Sequence, residues 1–166
     1  MSMRQWAGAA MVGFVFGFAA VAWTAEDEKK DDKKEIPFPD MPKTAGKIDA
    51  DAKKTFTETK SGLKYRILRK GQGNPPKPTN IIEIHYHGWL DSKKVFDSTY
   101  EKGGNPARFQ LKSLIKAWVE GLQLIGKGGM IELEVPPDLG YGDRGQPPVI
   151  PGKATLHFIV ELVDFG

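Results

Sequence analysis

His85 and His87 fall on one face of an alternating stretch, with Glu83 two residues before them. No further acid or histidine lies at ligand spacing, so the trio falls short of a metal site and reads as the polar face of a strand. No serine, histidine and aspartate form a nucleophilic constellation, and Gly103-Gly104 is too sparse for a phosphate-binding loop. There are no cysteines, which excludes disulfides, thiolate metal sites, cysteine nucleophiles and acylated lipoprotein anchors. Asp138, directly after Pro137, reads as a turn-fixing residue. What remains is a set of large aromatics, Tyr86, Phe96, Trp118 and Phe158, with Asp97 next to Phe96. Taken singly, Phe96, Trp118 and Phe158 read as core. Any chemistry here is carried by an apolar surface rather than by a nucleophile or a metal.

The elements that must carry these residues are mostly strands. Leu63, Tyr65 and Ile67 alternate with polar residues, as do Ile82, Ile84 and Tyr86, then Ile131, Leu133 and Val135, and Leu156, Phe158, Val160 and Leu162 line one face of a last strand. In the third of these, Glu132 and Glu134 predict one wet face. Gly71 to Asn80, Asp91 to Lys94, Gly103 to Pro106 and the proline- and glycine-rich stretch from Pro136 to Pro151 read as turns and loops. One helix is expected, with Ser113 as N-cap, Ile115, Trp118, Val119 and Leu122 on its apolar face, and Gly126, Gly128 and Gly129 ending it. Several short strands and one helix without βαβ alternation predict an α+β fold, an antiparallel sheet packed on a helix.

The chain ahead of these elements is different. Arg4 precedes an uncharged apolar run, Ala7 to Trp23, of 17 residues, with an A-x-A-like site at Ala20-Val21-Ala22 near its end and acidic Glu26 and Asp27 after it. Residues 1–25 are expected to be a cleaved signal peptide for an exported, periplasmic or secreted protein. An uncleaved anchor is the alternative, because the run sits at the lower limit of a spanning length. Residues 26–60 carry alternating charges and three prolines with few large apolar side chains, and are expected to be a flexible linker. The folded domain is expected at 61–166. Net charge is +3, and losing Arg4 leaves 23 basic against 21 acidic residues. That balance gives no footprint for nucleic acid or an anionic membrane.

Six ordered motifs carry a family resemblance. They are Ser61-Gly62-Leu63-Lys64-Tyr65, Ile84-His85-Tyr86-His87-Gly88-Trp89-Leu90, Val95-Phe96-Asp97-Ser98-Thr99, Leu114-Ile115-Lys116-Ala117-Trp118, Pro136-Pro137-Asp138-Leu139-Gly140-Tyr141-Gly142, and Val149-Ile150-Pro151 followed by Ala154 to Phe158. In this order and spacing the stretch from Ser61 to Gly166 resembles the FKBP-type (macrolide-binding) peptidyl-prolyl cis-trans isomerases of exported bacterial type. The resemblance implies a twisted antiparallel β-sheet of five or six strands wrapped around one short α-helix, with a groove between helix and sheet. It also implies proline-containing polypeptide substrates, macrolide inhibitors as candidate ligands, and no cofactor. No dimerisation domain is evident, so a monomer is the default.

Rotation about an X-Pro bond faces a barrier of about 20 kcal/mol, because amide resonance gives the C–N bond double-bond character. Nothing is made or broken, so the catalyst needs only to favour the twisted amide over both planar forms. Twisting removes charge separation, and an apolar, dry pocket rewards that. By resemblance Trp118 is the pocket floor, and Tyr86, Phe96 and Phe158 are its walls. Leu114 and Ile115 open the helix, where the Ile115 N–H meets a ligand carbonyl. Val149 and Ile150 close one side, and the Tyr141 hydroxyl meets a substrate carbonyl. Asp97 either polarises the twisted carbonyl or holds Tyr86. The alternative function is a non-catalytic module that holds peptide segments or a partner in the same groove.

The chain departs from the family pattern at several positions. Ala107 stands where single-domain members have a groove phenylalanine, although alanine there is also familiar in bacterial relatives, and Gln146 replaces a loop histidine, Gly140 an alanine and Pro148 a glycine. Lys102 lies near the place of an arginine that pairs with the family aspartate, and a lysine cannot grip Asp97 bidentately. These changes bear on residue preference before proline and on macrolide affinity.

Overall fold

The computed structural model describes residues 34–101 and 104–166. The expected signal segment 1–25, the start of the expected linker and Lys102 lie outside the described residues. Alternation yields strands where it is strong. β1 (Thr57–Glu58), β2 (Lys64–Arg69), β3 (Ile81–Leu90), β4 (Val95–Ser98), β5 (Ala107–Gln110), β6 (Met130–Val135) and β7 (Leu156–Phe165) form one antiparallel sheet in the order β1-β2-β6-β7-β3-β4, with β5 also on β3. The count is seven because two-residue β1 adds to the edge of β2 through Thr57 and Tyr65.

Register fixes what each face carries. Leu133 opposes Phe158, which opposes Gly88, and Ile131 opposes Val160, which opposes Tyr86. The inner face is therefore apolar, and Ile84, Leu133, Leu156 and Val160 are fully buried there. Against it lies α1 (Lys116–Gly121), which buries Ala117 and Trp118. The helix starts later than its sequence pattern predicts. Ser113 belongs to a preceding 3-10 turn and gives its hydroxyl to the Gln110 carbonyl at 2.7 Å, so Ile115 is the N-cap without a side-chain cap. Leu122 keeps its place in the core from a 3-10 turn that follows the helix.

The outer face is wet at Glu134, which pairs with exposed Lys64 at 2.9 Å, but not at Glu132. Glu132 is only 5% exposed, because its strand neighbour Arg66 and residues from before β1 cover it. Arg66 Nε donates to Glu132 at 2.6 Å. Its other nitrogens donate to the carbonyls of Ile36 (2.5 Å), Pro37 (2.8 Å) and Lys54 (3.2 Å). The guanidinium also lies 4.8 Å from the ring centres of both Phe38 and Phe56. Phe38, Met41 and Ile48 pack on Leu68, Trp89, Met130 and Ile159 of the same face. The part of the expected linker from residue 34 onward is thus a strap on the sheet. Its few apolar side chains are spaced to meet one outer-face cluster, and a buried arginine takes up its carbonyls, so it needs no core of its own.

Candidate active site

The inner face opens into a cavity of about 470 Å³ between α1, the sheet and the loop after β6. Alternation on β3 turns Tyr86 inward, and the pairing of β4 with β3 brings Phe96 and Asp97 beside it. Trp118 projects from the buried face of α1. The chain entering the helix supplies Leu114 and Ile115, β7 supplies Phe158, and the long loop supplies Tyr141 and Val149.

The aromatic walls meet edge to face. Tyr86 and Trp118 have ring centres 5.2 Å apart at 69°, Trp118 and Phe158 5.1 Å at 80°, and Phe96 and Phe158 5.5 Å at 88°. Gly88 makes this possible. A Cβ there would stand 2.7 Å from Phe96 Cζ and 2.8 Å from Phe158 Cε1. Trp118 and Phe158 are 5% and 3% exposed, so the floor excludes water. The Trp118 indole nitrogen is buried without a hydrogen-bond partner among the described residues.

A few polar groups line the cavity. The Tyr86 hydroxyl donates to Asp97 Oδ2 at 2.6 Å. Burial first, and then this bond and the Asp97 charge, hold the Tyr86 phenol well above its usual range. Burial, with the Asp97 charge second, also raises Tyr141. Both phenols are therefore hydrogen-bond donors throughout the ordinary pH range. The helix head adds the Ile115 N–H, which no backbone carbonyl among the described residues accepts.

Nine of the ten residues named from the sequence line this cavity: Tyr86, Phe96, Asp97, Leu114, Ile115, Trp118, Tyr141, Val149 and Phe158. Ile150 does not. It is 3% exposed in the core, and its main chain exchanges hydrogen bonds with Gln146 that close the loop. Its neighbour Val149 takes the rim position instead, 42% exposed. Phe109, Gln146 and Pro147 complete the lining. The signal for Phe109 is period two along β5: it shares a face with Ala107, so the wall opened by the alanine is partly refilled two residues on. His85 and His87 sit outside the cavity, on the outer face with Thr99 and Ser98.

The sequence model of the family described as FKBP-type peptidyl-prolyl cis-trans isomerase matches residues 72–163. A probable FKBP-type peptidyl-prolyl cis-trans isomerase of Haemophilus influenzae is 47% identical over 111 residues, covering 67% of this chain and 46% of that protein. The FKBP-type peptidyl-prolyl cis-trans isomerase FkpA of Escherichia coli is 43% identical over 114 residues, covering 68% of this chain and 42% of that protein. The crystal structure of FkpA from Escherichia coli superposes with a TM-score of 0.64 at 41% identity, over 66% of this chain and 51% of that one. The chain thus spans less than half the length of these curated relatives.

Proposed function

The chain belongs to the FKBP-type peptidyl-prolyl cis-trans isomerases, and from that premise we propose that it accelerates X-Pro isomerisation in the folding of exported proteins. The observation that carries this reading is the cavity in which Trp118, Phe158, Phe96 and Tyr86 meet edge to face beside a single carboxylate. A proline ring is flat and apolar enough to lie on the Trp118 floor. The amide before it then lies in an environment that disfavours the charge-separated planar forms, so the twisted amide gains relative to water. In this reading the Ile115 N–H and the Tyr141 hydroxyl, both at the cavity, donate to substrate carbonyls. Asp97 acts mainly through Tyr86, whose hydroxyl it fixes, and its charge adds to the field along the cavity wall. No proton moves, so the raised phenols serve as fixed donors and not as acids.

Export rests on residues 1–25 acting as a cleaved signal. Among the described residues no helix is long and apolar enough to cross a membrane. The catalytic unit is 61–166, with the described part of 26–60 as its strap. A protease-coupled assay on a short X-Pro peptide tests the activity. Acceleration that falls with Trp118→Leu supports the groove, whereas rates equal to the uncatalysed background sink the enzyme reading and leave a binding module.

A further inference from the structure

We propose that Tyr100 and Glu161, on the outer face of the sheet, are positioning residues that hold Phe96 and Asp97 from behind, and that Gly46 of the strap completes this latch. The inference rests on the reading of the inner cavity as the active site.

The need for such a device follows from topology. β4 carries both groove residues, yet it has only four residues, lies at the end of the sheet order and pairs only with β3. That pairing is itself irregular, with a register shift at Gly88 and Trp89. Beyond Ser98 only one more main-chain bond to β3 follows among the described residues, so side chains help to fix the exit from the strand. Thr99 does the first part: its N–H donates to the Tyr86 carbonyl at 3.0 Å, and its hydroxyl accepts the Tyr86 N–H at 2.9 Å. Tyr100 does the second. Its ring stacks on His85 at 5.1 Å and 24°, and its hydroxyl donates to Glu161 Oε2 at 3.1 Å.

Glu161 is where the two sides of the molecule join. It opposes His85 on one neighbouring strand and Met130 on the other, and Met130 opposes Arg69. The same carboxylate pairs with the Arg69 guanidinium and accepts the Gly46 N–H at 3.2 Å. Arg69 in turn donates to the Lys47 carbonyl at 3.0 Å and to the Gly128 carbonyl at 2.5 Å. One row across the outer face therefore links the strap to the residue three positions after Asp97. Gly46 has no room for a side chain: an added Cβ would overlap the Arg69 guanidinium and sit 2.6 Å from Glu161 Oε1. Docking of the strap and placement of the Asp97 segment thus share one carboxylate.

The test uses the full chain with Tyr100→Phe, which deletes one hydroxyl, Gly46→Val, which lies on the strap, and the two combined. Each single variant is expected to lower kcat/KM on an X-Pro peptide about fivefold at a temperature where it is fully folded, as small misplacements of groove residues do. The double variant is expected to be no worse than either, because both break one linkage. Glu161→Gln, which keeps an acceptor for the phenol and for the Gly46 N–H, is expected to retain most activity that Glu161→Ala loses. Wild-type kcat/KM in Tyr100→Phe, or independent, additive losses, would overturn the latch. Amide hydrogen exchange at Phe96 to Thr99 gives a reading free of catalysis. It should quicken in Gly46→Val, and unchanged exchange overturns the latch as well. An inactive wild-type protein would sink the isomerase reading alone and leave the exchange measurement to decide this one.

Discussion

Asp97 and the two phenols around it define how much polarity the groove tolerates. The Tyr86 hydroxyl donates a hydrogen bond to Asp97 at 2.6 Å, so the carboxylate fixes the ring that meets Trp118 edge to face. Asp97→Ala removes both that anchor and the nearby charge. A fall in kcat/KM of about tenfold is expected, the scale of one charge-assisted hydrogen bond, and unchanged activity would remove Asp97 from the mechanism. The phenols make a second claim at this scale. Both are raised from their usual value of 10.0, chiefly by burial. A raised phenol stays protonated as pH climbs through that value, so kcat/KM is expected to stay level up to about pH 10. A loss of rate with a midpoint below 10 that disappears in Tyr141→Phe would show that the hydroxyl ionises and that its environment is wetter than the structure implies.

At the scale of elements, the inner face carries its own check. Gly88 is the one inward position on β3 where the Phe96 and Phe158 rings must come together over bare backbone. Gly88→Ala forces one ring away, and a loss of about 1–3 kcal/mol of stability is expected, the usual cost of overpacking, with weaker activity. Urea unfolding measures it, and a neutral variant would mean that the ring pair is loosely held. The same elements show what is legible in sequence. Strands with one evenly spaced apolar face, such as β7, declared themselves, and family motifs brought nine cavity residues together. Helix α1 was legible by face but not by boundary, because Ser113 capped a local turn rather than the helix. Ile150 and Val149 sit side by side in an irregular loop, where no period says which one turns inward. The wet face expected for β6 holds at Glu134 and fails at Glu132, which is paired with Arg66 from a strand far away in the chain. A polar residue in alternation marks the face opposite the core, but it does not say whether another segment covers that face.

The described residues form one sheet used on both sides, with a groove on one and a strap on the other. The strap's ties differ in what acid does to them. Burial pushes Glu132 above its usual range in spite of the Arg66 bond. Burial also acts to raise Glu161, but the hydrogen bond and charge of Arg69, the Gly46 N–H and the Tyr100 hydroxyl outweigh it, and the group ends below its usual 4.5. The signs follow from linkage. A carboxylate whose folded value is depressed stabilises the fold fully above its unfolded value, and this contribution disappears as pH falls through the folded one. The raised Glu132 works the other way, since its proton is held more tightly in the folded state and its burial weighs least in acid. The strap should therefore loosen at the Gly46 and Glu161 end before the Arg66 end as pH drops below about 4.5. Thermal unfolding across about pH 6 to 3 should show a steep acid fall in the wild-type chain and a flatter one in Glu161→Gln, with the two converging at the acid end. Parallel curves would mean that Glu161 titrates alike in the folded and unfolded chains, and that the strap is held by Phe38, Met41 and the Arg66 clamp alone.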